Sequence, residues 1–96
     1  MIYTVHHNTA QKRFEISSEG EESYIAYELF EGGIAFTSER IPEQLQGQGI
    51  GSYLAKFVLD YAQANHLKVK PQCAFVKWYV DNHQEYQGDS LYHNNG

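Results

Sequence analysis

The stretch that decides the fold is Gln46-Gly47-Gln48-Gly49-Ile50-Gly51, in which three glycines alternate directly before a helical pattern. Backbone without side chains can wrap an anion with its N–H groups, and the N-terminus of the following helix adds unpaired donors and partial positive charge. A phosphate or pyrophosphate fits such a turn without any lysine. The bland alternative is a tight strand-to-helix turn that binds nothing, because a glycine turn alone is a weak signal.

The helix after this turn has the clearest periodicity in the chain. Its apolar residues follow the i, i+4, i+7, i+8 spacing of an amphipathic helix: Ile50, Leu54, Phe57, Val58, Tyr61 and Ala62. We expect it to end near Asn65, because asparagine tolerates the left-handed conformation of a helix cap.

Before the turn, the first forty residues predict an antiparallel meander of four strands. Apolar residues alternate in short runs between turn-forming residues, which gives strands near 2–6, 13–17, 23–30 and 34–39. Gly32-Gly33 predicts a hairpin turn, since both positions tolerate positive φ. Pro42 ends the fourth strand because proline lacks the N–H that the ladder requires.

After the helix, residues 67–73 predict a fifth strand, with Pro71 making it an edge or distorted strand. The order strand, loop, helix, strand favours a right-handed crossover, which places strand five parallel to strand four. A shorter second helix is marked by Val76, Tyr79, Val80 and His83. The predicted fold class is α+β, with one domain over residues 1–87 and a mobile tail over 88–96.

Composition excludes several classes of protein. A formal charge of -5 over 96 residues argues against nucleic-acid binding and favours a cationic partner such as an amine. We find neither a membrane span nor a signal peptide and expect a cytoplasmic protein. The lone Cys73 excludes an internal disulfide, and the histidines, which lack metal-ligand spacing, predict no metal site: His6, His7, His66, His83 and His93. All of them except His83 are interpreted as surface residues.

Two common nucleotide-binding motifs do not match the turn. A Rossmann turn stands early in a parallel βαβ series, whereas this one follows four meander strands, and no Gly-Lys-Ser or Gly-Lys-Thr indicates a Walker A loop. The turn instead resembles the pyrophosphate loop of the GNAT N-acetyltransferase superfamily, Gln/Arg-x-x-Gly-x-Gly/Ala, with Gln46, Gly49 and Gly51 at its fixed positions. Together with residues 40–45 and the Pro71-Gln72-Cys73 segment, it is similar to a short, single-domain GNAT-like family.

This resemblance implies that the chain binds acetyl-coenzyme A. In the superfamily the loop amides hold the coenzyme A pyrophosphate, and the pantetheine arm lies between the diverging strands four and five. By the resemblance, Ile41 contacts the pantetheine arm. The remaining cofactor-binding residues are those of the loop: Leu45, Gln46, Gly47, Gln48, Gly49, Ile50, Gly51 and Ser52.

Three side chains are candidates for the chemistry. Cys73 could accept the acetyl group or lie against the sulfur, and its alternative is a buried apolar cysteine. Tyr79 matches the tyrosine that many GNAT enzymes use as a general acid, or is a core aromatic. Glu39, with Ser38 beside it, could face the amine as a base. The short family commonly has a histidine where Ser38 stands, which weakens a histidine-base mechanism.

Three functions follow from these residues. The first is an acetyl-CoA-dependent N-acetyltransferase that acts on an amine. The second is a module that binds coenzyme A without catalysing transfer, motivated by the missing histidine. The third is a partner protein whose groove is completed by another chain, since a chain of 96 residues leaves little wall around an acceptor.

Overall fold

Five strands and two helices form the protein, in a computed structural model that describes residues 2–93. The strands pair in chain order to form one sheet, and the elements are β1 (His6–Asn8), β2 (Arg13–Ser18), β3 (Glu21–Phe30), β4 (Gly33–Arg40), α1 (Ile50–Ala64), β5 (Lys68–Pro71) and α2 (Ala74–Asp81). Short 3-10 helices cover Glu43–Leu45 and Gln84–Asp89. Over residues 2–93, none of the helices has the length and apolar content needed to cross a membrane.

The sheet is antiparallel from β1 to β4 and parallel between β4 and β5, which confirms the predicted fold class. The hairpin between β3 and β4 turns at Gly32, whose φ of 82° suits glycine. Helix α1 then crosses back over the sheet and contacts β2, β3, β4 and β5. Helix α2 packs beside α1 against β4 and β5.

The β4 and β5 strands separate halfway along β4. Their pairing ends where Phe36 faces Pro71. At the same level the β3–β4 register shifts, since Tyr27 faces Phe36 but Ala26 faces Ser38, which leaves one extra residue in β4 as in a β-bulge. The amide of Cys73 donates a 2.8 Å hydrogen bond to the carbonyl of Phe36 and closes the separation at its inner end. Beyond this bond, β4 continues without β5 toward the glycine turn.

The core lies between the sheet and α1. Phe14, Ile25 and Phe36 contribute fully buried side chains from the sheet. The inner face of α1 buries Ile50, Leu54, Ala55, Val58, Leu59 and Ala62, which follows the predicted helical spacing closely. Phe57 departs from the prediction, since 40% of its surface stays exposed.

The first predicted strand is present, but its predicted bounds, 2–6, are wrong. The strand begins at His6, and residues 2–5 have no regular structure. Tyr3 contacts α1 instead: its ring meets the Tyr53 ring edge-on at 5.4 Å, and its hydroxyl donates to the carbonyl of Gln48 at 3.0 Å. This segment therefore contacts helix α1 through Tyr3 and does not pair as a strand.

The cap of α1 also differs from the prediction. Asn65 has φ −100°, and the next residue, His66, takes the left-handed conformation with φ 57°. The amide of Leu67 donates to the carbonyl of Ala62 at 2.9 Å, and the amide of His66 donates to the carbonyl of Gln63 at 3.1 Å. These two hydrogen bonds form a Schellman motif, and they satisfy two carbonyls at the helix end.

The last described residues pack against the domain. Ser90 forms a parallel bridge with Val69 and is 1% exposed, and the Leu91 amide donates to the Val69 carbonyl at 2.8 Å. His93 contacts the Ser90 hydroxyl through Nδ1 at 2.6 Å and Asp81 through Nε2. The mobile tail predicted over 88–96 thus makes packing contacts through Ser90, Leu91 and His93, and residues 94–96 lie outside the described part of the chain.

Two histidines interpreted as surface residues have structural partners. His7 is part-buried: its ring stacks on Phe14 at 4.1 Å, and its Nε2 lies 2.7 Å from the Tyr27 hydroxyl. Burial lowers the pKa of His7 below its usual value. His93 holds the C-terminal segment as described above, so both histidines belong to the packing of the domain.

Candidate functional site

Glycine geometry shapes the turn before α1. Gly47 and Gly49 have φ of 85° and 80°, a region that residues with a side chain rarely adopt. Gly49 is the N-cap of α1 and accepts the first helical hydrogen bond, from the Tyr53 amide at 3.0 Å. The amides of residues 50–52 precede that bond, so they have no acceptor within the helix. The turn thus presents main-chain donors at the positive end of the helix dipole.

A cavity of about 270 Å³ opens in front of these donors. Its walls come from the end of β4, the turn, the first turn of α1 and the start of α2. The lining residues are Glu39, Ile41, Leu45, Gln46, Gly47, Gly49, Ile50, Gly51, Ser52 and Phe75. Every residue predicted to bind a cofactor is among them except Gln48, which is exposed and has its carbonyl bonded to Tyr3. Over residues 2–93, no cluster of three or more metal-binding side chains occurs.

Phe75 is a cavity residue that the sequence analysis missed. A Cβ on Gly51 would lie 3.2 Å from the Phe75 Cζ atom and 3.2 Å from Glu39 Oε2. Gly51 thus allows β4, α1 and α2 to approach one another at one point. No local pattern indicated this placement, since Tyr79, four residues later on α2, does not line the cavity.

Glu39 is the one carboxylate among the residues that line the cavity. It lies on β4 opposite Ile25 and is part-buried. Burial raises the pKa of Glu39 above its usual value. A carboxylate whose pKa is shifted toward neutrality is a better proton acceptor at physiological pH. Ser38 is exposed and, as the preceding strand residue, points to the other face of the sheet.

Cys73 lies where β4 and β5 separate, and it is not among the residues that line the cavity. Its residue surface is 8% exposed, and it is the N-cap of α2. The hydrogen bond from its amide to Phe36 ties the end of β5 to β4. This position agrees with the packing alternative for the thiol. His83, considered as its base, stacks on Tyr79 instead.

Tyr79 does not line the cavity either. Its ring lies parallel to the His83 ring at 3.8 Å, and only 7% of the residue is exposed. Burial raises the pKa of Tyr79, with Lys56 opposing the shift and Glu85 and Asp60 adding to it. These charged neighbours indicate that the hydroxyl faces the middle of α1. Of the three predicted catalytic side chains, the structure therefore brings only Glu39 into the cavity.

Comparison with known proteins gives two matches. A family model described as GCN5-related N-acetyl-transferase matches residues 13–89, a span that contains every residue lining the cavity. The solution structure of a GCN5-like candidate N-acetyltransferase from Staphylococcus aureus matches with a TM-score of 0.73 and 25% identity, over 98% of this chain and 97% of that chain. A search of curated proteins gave no match.

Proposed function

This chain belongs to the GCN5-related N-acetyltransferase family, and on that premise we propose that it transfers the acetyl group of acetyl-coenzyme A to an amine. The observation that carries the proposal is the cavity at the N-terminus of α1, which combines free main-chain donors with three closely spaced glycines. The acceptor is a small molecule or a protein with a free amine, in keeping with the acidic chain.

The cavity suits the pyrophosphate of the coenzyme. Backbone N–H groups at a helix N-terminus bind phosphate oxygens without a cationic side chain. A Cβ added at Gly47 or Gly49 would meet nothing within 4 Å, so both positions face open space that a ligand can enter. Ile41 offers an apolar wall beside the same space, in keeping with contact to the pantetheine arm.

The proposed reaction is acyl transfer from sulfur to nitrogen. The amine nitrogen attacks the thioester carbonyl carbon, a C–N bond forms, the C–S bond breaks and the sulfur leaves as a thiolate. The amine must lose a proton to become a neutral amide, and we assign that proton to Glu39, directly or through a water molecule. Cys73 and Tyr79 are assigned to the packing of the domain, because only 8% and 7% of their surfaces are exposed.

Thermal unfolding with coenzyme A tests the binding step. Free ligand at 100 times its dissociation constant should stabilise the fold by about 2.7 kcal/mol. No shift of the midpoint at millimolar coenzyme A would refute the proposed site.

Release of free thiol tests the transfer step. The protein is incubated with acetyl-coenzyme A and a broad panel of amines and peptides, and thiol is followed with a chromogenic disulfide. We expect release with at least one amine, and its loss in Glu39→Gln. Coenzyme binding without thiol release across the panel would instead support the module that binds without catalysis.

A further inference from the structure

We propose that Tyr3 is a positioning residue for the coenzyme, because its hydroxyl holds the peptide between Gln48 and Gly49 with the Gly49 amide turned toward the cavity. There the amide serves as a donor to the pyrophosphate. This inference rests on the proposed function, since it takes the pyrophosphate as the ligand of the turn. It adds a residue from the start of the chain that does not itself line the cavity.

The hydrogen bond from Tyr3 reaches the middle of the glycine turn. The Tyr3 hydroxyl donates to the Gln48 carbonyl at 3.0 Å. The Tyr3 ring meets the Tyr53 ring edge-on, with the centroids 5.4 Å apart and the planes at 79°. Tyr53 lies in the first turns of α1, so this ring contact fixes the hydroxyl relative to the helix that follows the turn.

The glycine after this peptide makes such a restraint necessary. Rotation of a peptide plane changes ψ of the residue before it and φ of the residue after it, which here are Gln48 and Gly49. Gly49 has a φ of 80° and, without a side chain, adopts either sign of φ at little cost. In the absence of the Tyr3 bond, the peptide is therefore free to turn over and to place the Gln48 oxygen where the amide had been.

The direction of the Gly49 amide follows from the trans geometry of the peptide. Residues 2–93 contain no cis peptide bond, and the carbonyl and N–H of a trans peptide point in opposite directions. The Gln48 carbonyl points to Tyr3. Gly49 lines the cavity, whereas Gln48 and Tyr3 do not. We therefore place the Gly49 N–H on the side of the turn where the cavity opens.

In that direction the Gly49 amide joins the donors at the start of α1. In the part of the chain that the structure describes, no hydrogen bond uses the Gly49 N–H, and the amides of residues 50–52 lack acceptors within the helix. Successive free N–H groups bind phosphate oxygens together. A carbonyl oxygen in the same space carries partial negative charge and opposes an anion. The Tyr3 hydroxyl thus decides which of the two groups the ligand meets.

Isothermal titration calorimetry with coenzyme A tests the role of the hydroxyl. Tyr3→Phe keeps the ring and its contact with Tyr53 but removes the donor to Gln48. We expect about fivefold weaker binding than in the parent, which is the loss that one hydrogen bond between neutral groups typically produces. The unfolding midpoint of the ligand-free variant should stay near that of the parent, because the ring contact remains.

Tyr53→Phe is the matched control. It removes the hydroxyl from the other ring of the same pair and leaves the bond from Tyr3 to Gln48 in place. This variant should bind coenzyme A with the affinity of the parent. A role of Tyr3 in stability alone would lower the unfolding midpoint of Tyr3→Phe without changing the dissociation constant of the folded protein.

Nuclear magnetic resonance of the nitrogen-15-labelled parent tests the direction of the amide without any variant. Saturation with coenzyme A should move the Gly49 amide proton downfield, as expected for an N–H that donates to a charged phosphate oxygen. The Gly88 amide is the reference, since Gly88 is not among the residues that line the cavity. This measurement decides the question even if Tyr3→Phe does not fold.

Three outcomes would overturn the inference while coenzyme A still binds and the proposed function stands. Equal affinity of Tyr3→Phe and the parent would show that the hydroxyl does not position the turn. An equal loss in Tyr3→Phe and Tyr53→Phe would assign the effect to the ring pair. A Gly49 amide proton that stays in place at saturation would show that this amide is not a donor to the ligand. Failure of every protein to bind coenzyme A would refute the proposed function together with this inference.

Discussion

Gly51 occupies the point where the end of β4, the start of α1 and the start of α2 come together. A side chain there would meet both Glu39 and Phe75 at 3.2 Å, and it would also intrude on the cavity. We therefore expect Gly51→Val to weaken coenzyme A binding by at least tenfold, as measured by calorimetry. Valine is no worse than glycine within a helix, so lost helix propensity does not explain such an effect.

Gly88→Ala is the control for this substitution. A Cβ at Gly88 meets nothing within 4 Å, and the residue lies away from the cavity lining. Its binding and its unfolding midpoint should match those of the parent. An unchanged dissociation constant in Gly51→Val would show that the ligand does not approach α1 at this residue.

The positions of some residues in the site can be predicted from the sequence, and those of others cannot. The glycine turn could be assigned because glycine spacing and the adjoining helix are local features, and Glu39 because it ends a clear strand. The directions of Cys73 and Tyr79 depend on how α2 packs against α1, which no local pattern encodes. Phe75 was missed for the same reason.

Helix α1 ends in a cap whose left-handed residue is not a glycine. His66 holds the left-handed position of its C-terminal cap with φ 57°, at a cost that glycine does not incur. His66→Gly should raise the free energy of unfolding by about 0.5–1 kcal/mol, after the entropy that glycine gains in the unfolded chain is subtracted. Urea denaturation followed by circular dichroism measures the change.

Asn65→Gly provides the contrast on the same turn. Asn65 has φ −100°, and its side-chain amide donates to the Tyr61 carbonyl at 2.8 Å, so glycine there loses a bond and gains no conformational benefit. This variant should be less stable than the parent. Equal effects of the two substitutions would contradict the assignment of the cap to His66.

Prediction of elements was most accurate where periodicity is strong. The start of α1 and the parallel crossover to β5 follow from helical spacing and chain order. The bounds predicted for the first strand, 2–6, were wrong because a short alternating run does not specify its partner. Tyr3 finds that partner on α1, at Tyr53 and the Gln48 carbonyl, through contacts between distant parts of the chain.

The C-terminal segment packs against β5 and the end of α2. Ser90 forms a bridge with Val69 on β5, and the Leu91 amide donates a hydrogen bond to the Val69 carbonyl. His93 contacts both the Ser90 hydroxyl and Asp81 at the end of α2. Deleting residues 88–96 should cost about 2 kcal/mol through the lost hydrogen bonds and burial. For a chain of this size that lowers the unfolding midpoint by roughly 10 °C.

Differential scanning calorimetry of two truncations checks this role. Removal of 94–96 alone retains all the contacts just named and should leave the midpoint near that of the parent. An unchanged midpoint after removal of 88–96 would support the mobile tail that the polar composition suggested. The sequence could not predict the packing, because Ser90 and His93 gain partners only from the folded β5 and α2.

The aromatic pair at the start of α2 gives the molecule a natural optical reporter. Trp78 is the only tryptophan in the sequence, it is 52% exposed, and its ring lies 5.6 Å from Phe75 in the cavity wall. Occupation of the cavity should shift or quench tryptophan emission excited at long wavelength, and Trp78→Phe should abolish that signal without changing the affinity measured by calorimetry. The fold thus carries, next to its own binding site, a fluorophore with which unlabelled ligands can be titrated.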